Sequence, residues 1–175
     1  RALIWKNDDE KKIIELTKGE KNAYAHSVFV SKGVIYTTGY EYDAARGYVP
    51  VLWKNKNRTA LVDDATTVGV ANSIFVSNDD VYVVGWRMET GGTGTATLWK
   101  NENPTYLTAN KSDAFSVFIA DNKVYVAGTE KRDDKMRAVL WIDGMPTILS
   151  KDEADKAHAL SVFVIDNDVY VAGWE

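Results

Sequence analysis

Four stretches of the chain are near-copies of one another: AHSVFVSKGVIYTTGYE (25–41), ANSIFVSNDDVYVVGWR (71–87), AFSVFIADNKVYVAGTE (114–130) and ALSVFVIDNDVYVAGWE (159–175). Phe29, Phe75, Phe118 and Phe163 correspond, at spacings of 46, 43 and 45 residues. Tyr36, Tyr82, Tyr125 and Tyr170 correspond too, as do Gly39, Gly85, Gly128 and Gly173. A second motif alternates with the first: LIWKN (3–7), VLWKN (51–55), TLWKN (97–101) and VLWID (139–143). A period of this length means a repeated supersecondary unit rather than one unique core.

Each unit carries four strand signals. SVFV is β-branched and aromatic, and turn residues such as SNDD or IDND separate it from VYVVGW. A polar stretch leads to ATLWK, and a turn such as NENP or DGMP leads to TYLT or TILS. We label these strands A, B, C and D. No segment has helical periodicity long enough to count, and 152–160 reads as a loop with one turn. In strand C, side-chain alternation puts Leu52, Leu98 and Leu140 on one face and Trp53, Trp99 and Trp141 on the other. A sheet apolar on both faces must be covered on both sides. Stacked four-stranded units of about 45 residues predict an all-β fold, a β-propeller.

The chain order is C-D, three times ABCD, then A-B. The expected architecture is one domain over 1–175, with blades near 26–62, 72–108, 115–150, and 160–175 joined to 1–17. The last A-B pair and first C-D pair would share a sheet, giving four blades of four antiparallel strands with a 2+2 velcro closure that removes open edges. The rival is half of a larger ring, completed by a second chain. A monomer is the favoured expectation. The VYVAG…LWKN units resemble those of uncharacterised bacterial tandem-repeat propellers. That resemblance implies the fold and carries no functional residue across; the double glycine of kelch repeats and the WD dipeptide are both missing.

The net charge of -4 and the absence of a basic cluster argue against a nucleic-acid partner. The chain has no cysteine, so disulfides and thiolate sites are excluded. No apolar run approaches the roughly 20 residues of a membrane helix. The first residue is Arg1, not Met, and the favoured expectation is a trimmed, extracytoplasmic protein. No cofactor is expected.

The A–B and C–D turns are short, while the B–C and D–A segments are longer and vary between units. Variable loops on a rigid scaffold are where binding concentrates, so the face carrying them is the expected working face. Strand B ends in Tyr40, Trp86, Thr129 and Trp174; the aromatics there could pack between blades or stack on a ligand, and packing is the favoured reading. Tyr42 and Tyr48 stand further out, and Arg87 follows Trp86. The position before the repeated serines Ser27, Ser73, Ser116 and Ser161 varies: His26, Asn72, Phe115, Leu160. The serines read as satisfying backbone groups where the chain enters strand A. His26 and His158 could form a catalytic or metal-binding pair, but no fixed-spacing partner supports one. Asp79-Asp80 and DND at 166–168 read as turn chemistry. The reading is a non-enzymatic module binding a carbohydrate or protein. An enzyme, a glycosidase or lyase using Asp63, Asp64, Asp133 or Asp134, is the first alternative. A structural or assembly domain is the second.

Overall fold

The computed structural model describes residues 1–7, 12–19, 22–62 and 64–175. The protein is all-β, with no α-helix among the described residues. Sixteen strands alternate along them: β1 (Leu3–Trp5), β2 (Ile13–Glu15), β3 (Ala23–Ser31), β4 (Val34–Asp43), β5 (Gly47–Lys54), β6 (Asn57–Ala60), β7 (Val68–Ser77) and β8 (Asp80–Met88). Then follow β9 (Thr95–Lys100), β10 (Asn103–Tyr106), β11 (Ser112–Ala120), β12 (Lys123–Arg132), β13 (Lys135–Ile142), β14 (Met145–Ile148), β15 (His158–Ile165) and β16 (Asp168–Trp174). They form three four-stranded antiparallel sheets, β3-β4-β5-β6, β7-β8-β9-β10 and β11-β12-β13-β14, and two two-stranded sheets, β1-β2 and β15-β16. The three whole repeats are thus sheets in sequence order. The join expected between the first and last segments is not among these sheets: β1-β2 and β15-β16 stay separate.

The A–B turns show why the sequence folds locally as read. Their central pairs, Lys32-Gly33, Asn78-Asp79, Asp121-Asn122 and Asp166-Asn167, all have positive φ. That is the mirror-image turn whose twist matches a two-residue hairpin, and Asn, Asp and Gly tolerate it best. The longer B–C segments differ from expectation. The third is strand almost throughout: Arg132 pairs with Lys135, and Asp133-Asp134 is a two-residue turn at positive φ. In the first, ladder pairing runs out to Asp43 and Gly47. These are long hairpins rather than loops, because extra residues of alternating polarity continue an existing ladder more cheaply than they order a new path.

The repeated glycine has a steric cause. Strand A carries a β-bulge in every repeat, after Ala25, Ala71, Ala114 and Ala159. Opposite each bulge stands Gly39, Gly85, Gly128 or Gly173. A Cβ on Gly85 would lie 1.9 Å from the Val70 carbonyl oxygen, and one on Gly173 2.0 Å from that of His158. Only glycine admits the approach.

Packing follows the alternation. Phe29, Tyr36 and Leu52 of one sheet meet Ile74, Val76, Val83 and Trp99 of the next. Phe75, Tyr82 and Leu98 likewise meet Val117, Val126 and Trp141, and Phe118, Tyr125 and Leu140 meet Val162, Val164 and Val171. Ile4 and Ile14 of β1-β2 cover Trp53. Trp53, Trp99 and Trp141 are fully buried, each worth on the order of 4 kcal/mol by apolar area. The Trp99 indole N–H donates to the Leu61 carbonyl at 2.8 Å, whereas those of Trp53 and Trp141 have no partner among the described residues. The phenylalanines form a ladder, with ring centroids 4.8, 5.0 and 4.8 Å apart from Phe29 to Phe163. The repeated serines bridge sheets: Val117 N–H donates to Ser73 Oγ at 3.4 Å, and Val162 N–H to Ser116 Oγ at 3.2 Å. Ser73 and Ser116 thus satisfy backbone groups, but those of the neighbouring sheet's strand A.

Candidate functional site

The bulges decide which side chains can meet. The skipped residues are His26, Asn72, Phe115 and Leu160, the same variable set that precedes the serines. A bulge re-aims its side chain. Here two of the four reach the next sheet. The Asn72 amide donates to Asp113 Oδ1 and to the Ala114 carbonyl, each at 2.9 Å. The Phe115 ring lies 5.9 Å from the His158 ring. One residue upstream of the bulge alanines stand Tyr24, Val70, Asp113 and His158, paired across the ladder with Tyr40, Trp86, Thr129 and Trp174.

These pairs split the expected site residues into two groups. Across the second, third and fourth repeats, Trp86, Met88, Phe115, Met136 and His158 line a cleft of about 550 Å³, with Asp113, Lys111 and Thr129 in its wall. Its lining is largely apolar and aromatic, and Asp113 is its one carboxylate among the described residues, the combination that marks a small-molecule or side-chain site. At the first repeat, Tyr24 and Tyr40 stack at 4.8 Å, and Tyr48 meets Tyr40 at 5.2 Å and Tyr42 at 5.7 Å. His26 sits edge-on to Tyr40 at 5.4 Å. Tyr24 of β3 and Tyr42 and Tyr48 of the hairpin β4-β5 are exposed, so this sheet carries an open aromatic patch.

The electrostatics single out Asp113. Burial pushes its carboxyl up to about 7, only partly offset by the Ala114 N–H and the Asn72 amide. His158 is held below its ordinary value by burial and by the Lys156 charge. Near pH 7 the cleft therefore offers a neutral imidazole and a carboxyl divided between its two forms. A group poised this way in a cleft is a functional-site candidate on physical grounds.

Other candidates fall elsewhere. Arg87 lies over the Tyr106 ring at 5.2 Å and pairs with Glu89 at 3.3 Å, outside the cleft lining. Trp174 stacks on His158 at 4.6 Å and remains half exposed, so this aromatic packs within its own sheet rather than between sheets. The two histidines are held separately, His26 against Tyr40 and His158 against Trp174 and Phe115. Asp64 accepts four hydrogen bonds of 2.7–2.9 Å from the backbone and hydroxyls of Thr66 and Thr67, which hold it well below the usual carboxylate range and tie it to its own loop. Asp63 lies outside the described residues. Asp133 and Asp134 are turn residues, Asp134 paired with Lys131 at 2.8 Å. Of Asp79-Asp80 only Asp79 lies in the turn, as the pair Asn78-Asp79, while Asp80 begins β8 and pairs with Lys100 at 2.8 Å; in 166–168 the turn pair is Asp166-Asn167 and Asp168 begins β16.

Met88, Met136, Lys111 and Asp113 were not singled out by the sequence. For Asp113 a signal existed: in the series Tyr24, Val70, Asp113, His158 it is the lone acid. No protein-family model matches this chain, and no curated protein or solved structure does either.

Proposed function

We propose that the repeats are blades of a β-propeller, with β15-β16 and β1-β2 as halves of one blade, and that the protein is a non-enzymatic binding module for a carbohydrate or protein ligand. The observation that carries the binding reading is the Trp86–Met88–Phe115–Met136–His158 cleft with Asp113 in its wall. An apolar ring or side chain stacks on Trp86, while Asp113 and Lys111 offer polar contacts that fix its orientation. The exposed tyrosines of β4-β5 add a second contact surface of the kind that rigid aromatics provide at low entropic cost.

A glycan array and a peptide library, each probed with the whole chain, supply the ligand. The expected result is that Trp86→Ala weakens the selected ligand about tenfold or more, with chemical-shift changes at Trp86 and His158. Binding that leaves Trp86 and His158 unperturbed refutes the cleft. No binding in either screen, combined with turnover of a glycoside that collapses in Asp64→Ala or Asp134→Ala, refutes the non-enzymatic reading.

A further inference from the structure

The structure contains an empty seat and, elsewhere in the same chain, the residue type that fills its equivalents. In the middle sheet, Trp99 sits among Leu61, Ala71 and Val83. In the next, Trp141 sits among Ala96, Ala114, Val126 and Leu107, with Gly128 alongside. The corresponding residues beside β15-β16 are Ala138, Ala159, Val171, Leu149 and Gly173. These five line a groove of about 240 Å³ against the open edge of β16. The tryptophan that corresponds to Trp99 and Trp141 is Trp5, which is 67% exposed on β1.

The surroundings match as well. Phe163 and Tyr170, equivalents of Phe29 and Tyr36 that elsewhere face a neighbouring sheet, are 52% and 58% exposed. Val28 and Val30, equivalents of the buried Ile74 and Val76, are 53% and 61% exposed beside a second groove lined by Trp5, Ser27 and Thr37. Ser161 corresponds to the bridging Ser73 and Ser116. Each exposed feature therefore has its complement on the same chain, yet β1-β2 and β15-β16 form separate sheets and Trp5 does not enter the groove.

We propose that the occupant is a second copy of this chain. Trp5 of one copy enters the groove formed by Ala138, Leu149, Ala159, Val171 and Gly173 of the other. β1 of one copy pairs with the open edge of β16 of the other, and Phe163 and Tyr170 close on Val28 and Val30 of the incoming chain. The junction is head-to-tail, and two of them related by a two-fold axis close a ring of eight units, the upper end of the common propeller range of about 4–8. This rests on the proposed reading of the two half-sheets as halves of one blade.

The test is the mass of the whole chain by light scattering, with 19F NMR of 5-fluorotryptophan-labelled protein, the Trp5 signal assigned with Trp5→Phe. The expected particle is about twice the 19.5 kDa chain, with Trp5 shifted to a buried environment as concentration rises. Trp5→Ala and Leu149→Arg, both at exposed positions, should each weaken self-association more than about 30-fold with unchanged circular dichroism. Mixing the two variants restores one junction, because each keeps the half the other lacks. A monomer with Trp5 buried overturns the second copy but keeps the single-blade reading, through closure within one chain. A monomer with Trp5 exposed overturns both. An open-ended polymer, or a dimer that survives both substitutions, overturns the ring.

Discussion

Asp113→Asn tests the electrostatics of the cleft directly. In the fold, burial holds the carboxyl at about 7 against an ordinary 3.8. Below pH 4 the group is protonated in both folded and unfolded chains and costs nothing. Between pH 4 and 7 the unfolded chain ionises freely while the folded one resists, so the native state loses stability as pH rises; above pH 7 the loss is constant. At about 1.4 kcal/mol per pH unit of separation, the full penalty approaches ~4 kcal/mol, and solvent entering the cleft reduces it to about 2–4 kcal/mol. Asparagine keeps an oxygen to accept the Asn72 amide and carries no charge to desolvate. The variant is therefore expected to melt at nearly the wild-type temperature at pH 4 and about 4–12 °C higher at pH 8. Melting both proteins across this range cancels the titration of every group they share, including His158. A melting difference that is flat with pH, or that grows toward acid, refutes the burial argument and with it the claim that Asp113 is a poised group.

Two further outcomes follow from the packing. Trp99→Phe leaves the Leu61 carbonyl without its 2.8 Å donor, whereas Trp141→Phe deletes an indole N–H that has no partner among the described residues. The first is expected to cost about 1–2 kcal/mol more than the second by urea denaturation, and equal losses would contradict the assigned hydrogen bond. Gly85→Ala places a methyl 1.9 Å from the Val70 carbonyl and is expected to cost more than about 4 kcal/mol or to yield no soluble protein. Gly94→Ala, whose nearest neighbour is the Trp86 ring at 3.4 Å, is the tolerated control in the same stability measurement, and similar behaviour of the two would refute the steric account.

Much of the strand layout was legible locally. Alternation in VLWKN and its copies correctly separates Leu52 from Trp53, and the Asn- and Asp-rich pairs correctly mark the tight turns, because each depends on a few adjacent residues. The same local rules misjudge 129–137 and 40–49. Whether a polar stretch loops or extends its hairpin depends on ladder partners across the strand pair, which no window of sequence contains. Ser73 and Ser116 do bond backbone groups, but their partners belong to another sheet, which local sequence does not reveal.

The repeats alone imply an all-β chain with apolar residues on both faces of each unit and glycine at one fixed place. Those properties follow from the two-residue period of a strand and from steric limits on each residue. Tertiary pairing explains why the glycine is fixed, through a bulge on the facing strand. It also decided that Asn72 reaches Asp113, that Trp86, Phe115 and His158 line one cleft while His26 joins the tyrosines, and that Trp5 and its equivalents' seat stand apart in a single chain. Burial, carboxyl titration and cleft shape all depend on neighbours roughly 40 residues away in sequence, brought close by the stacking of one repeat on the next.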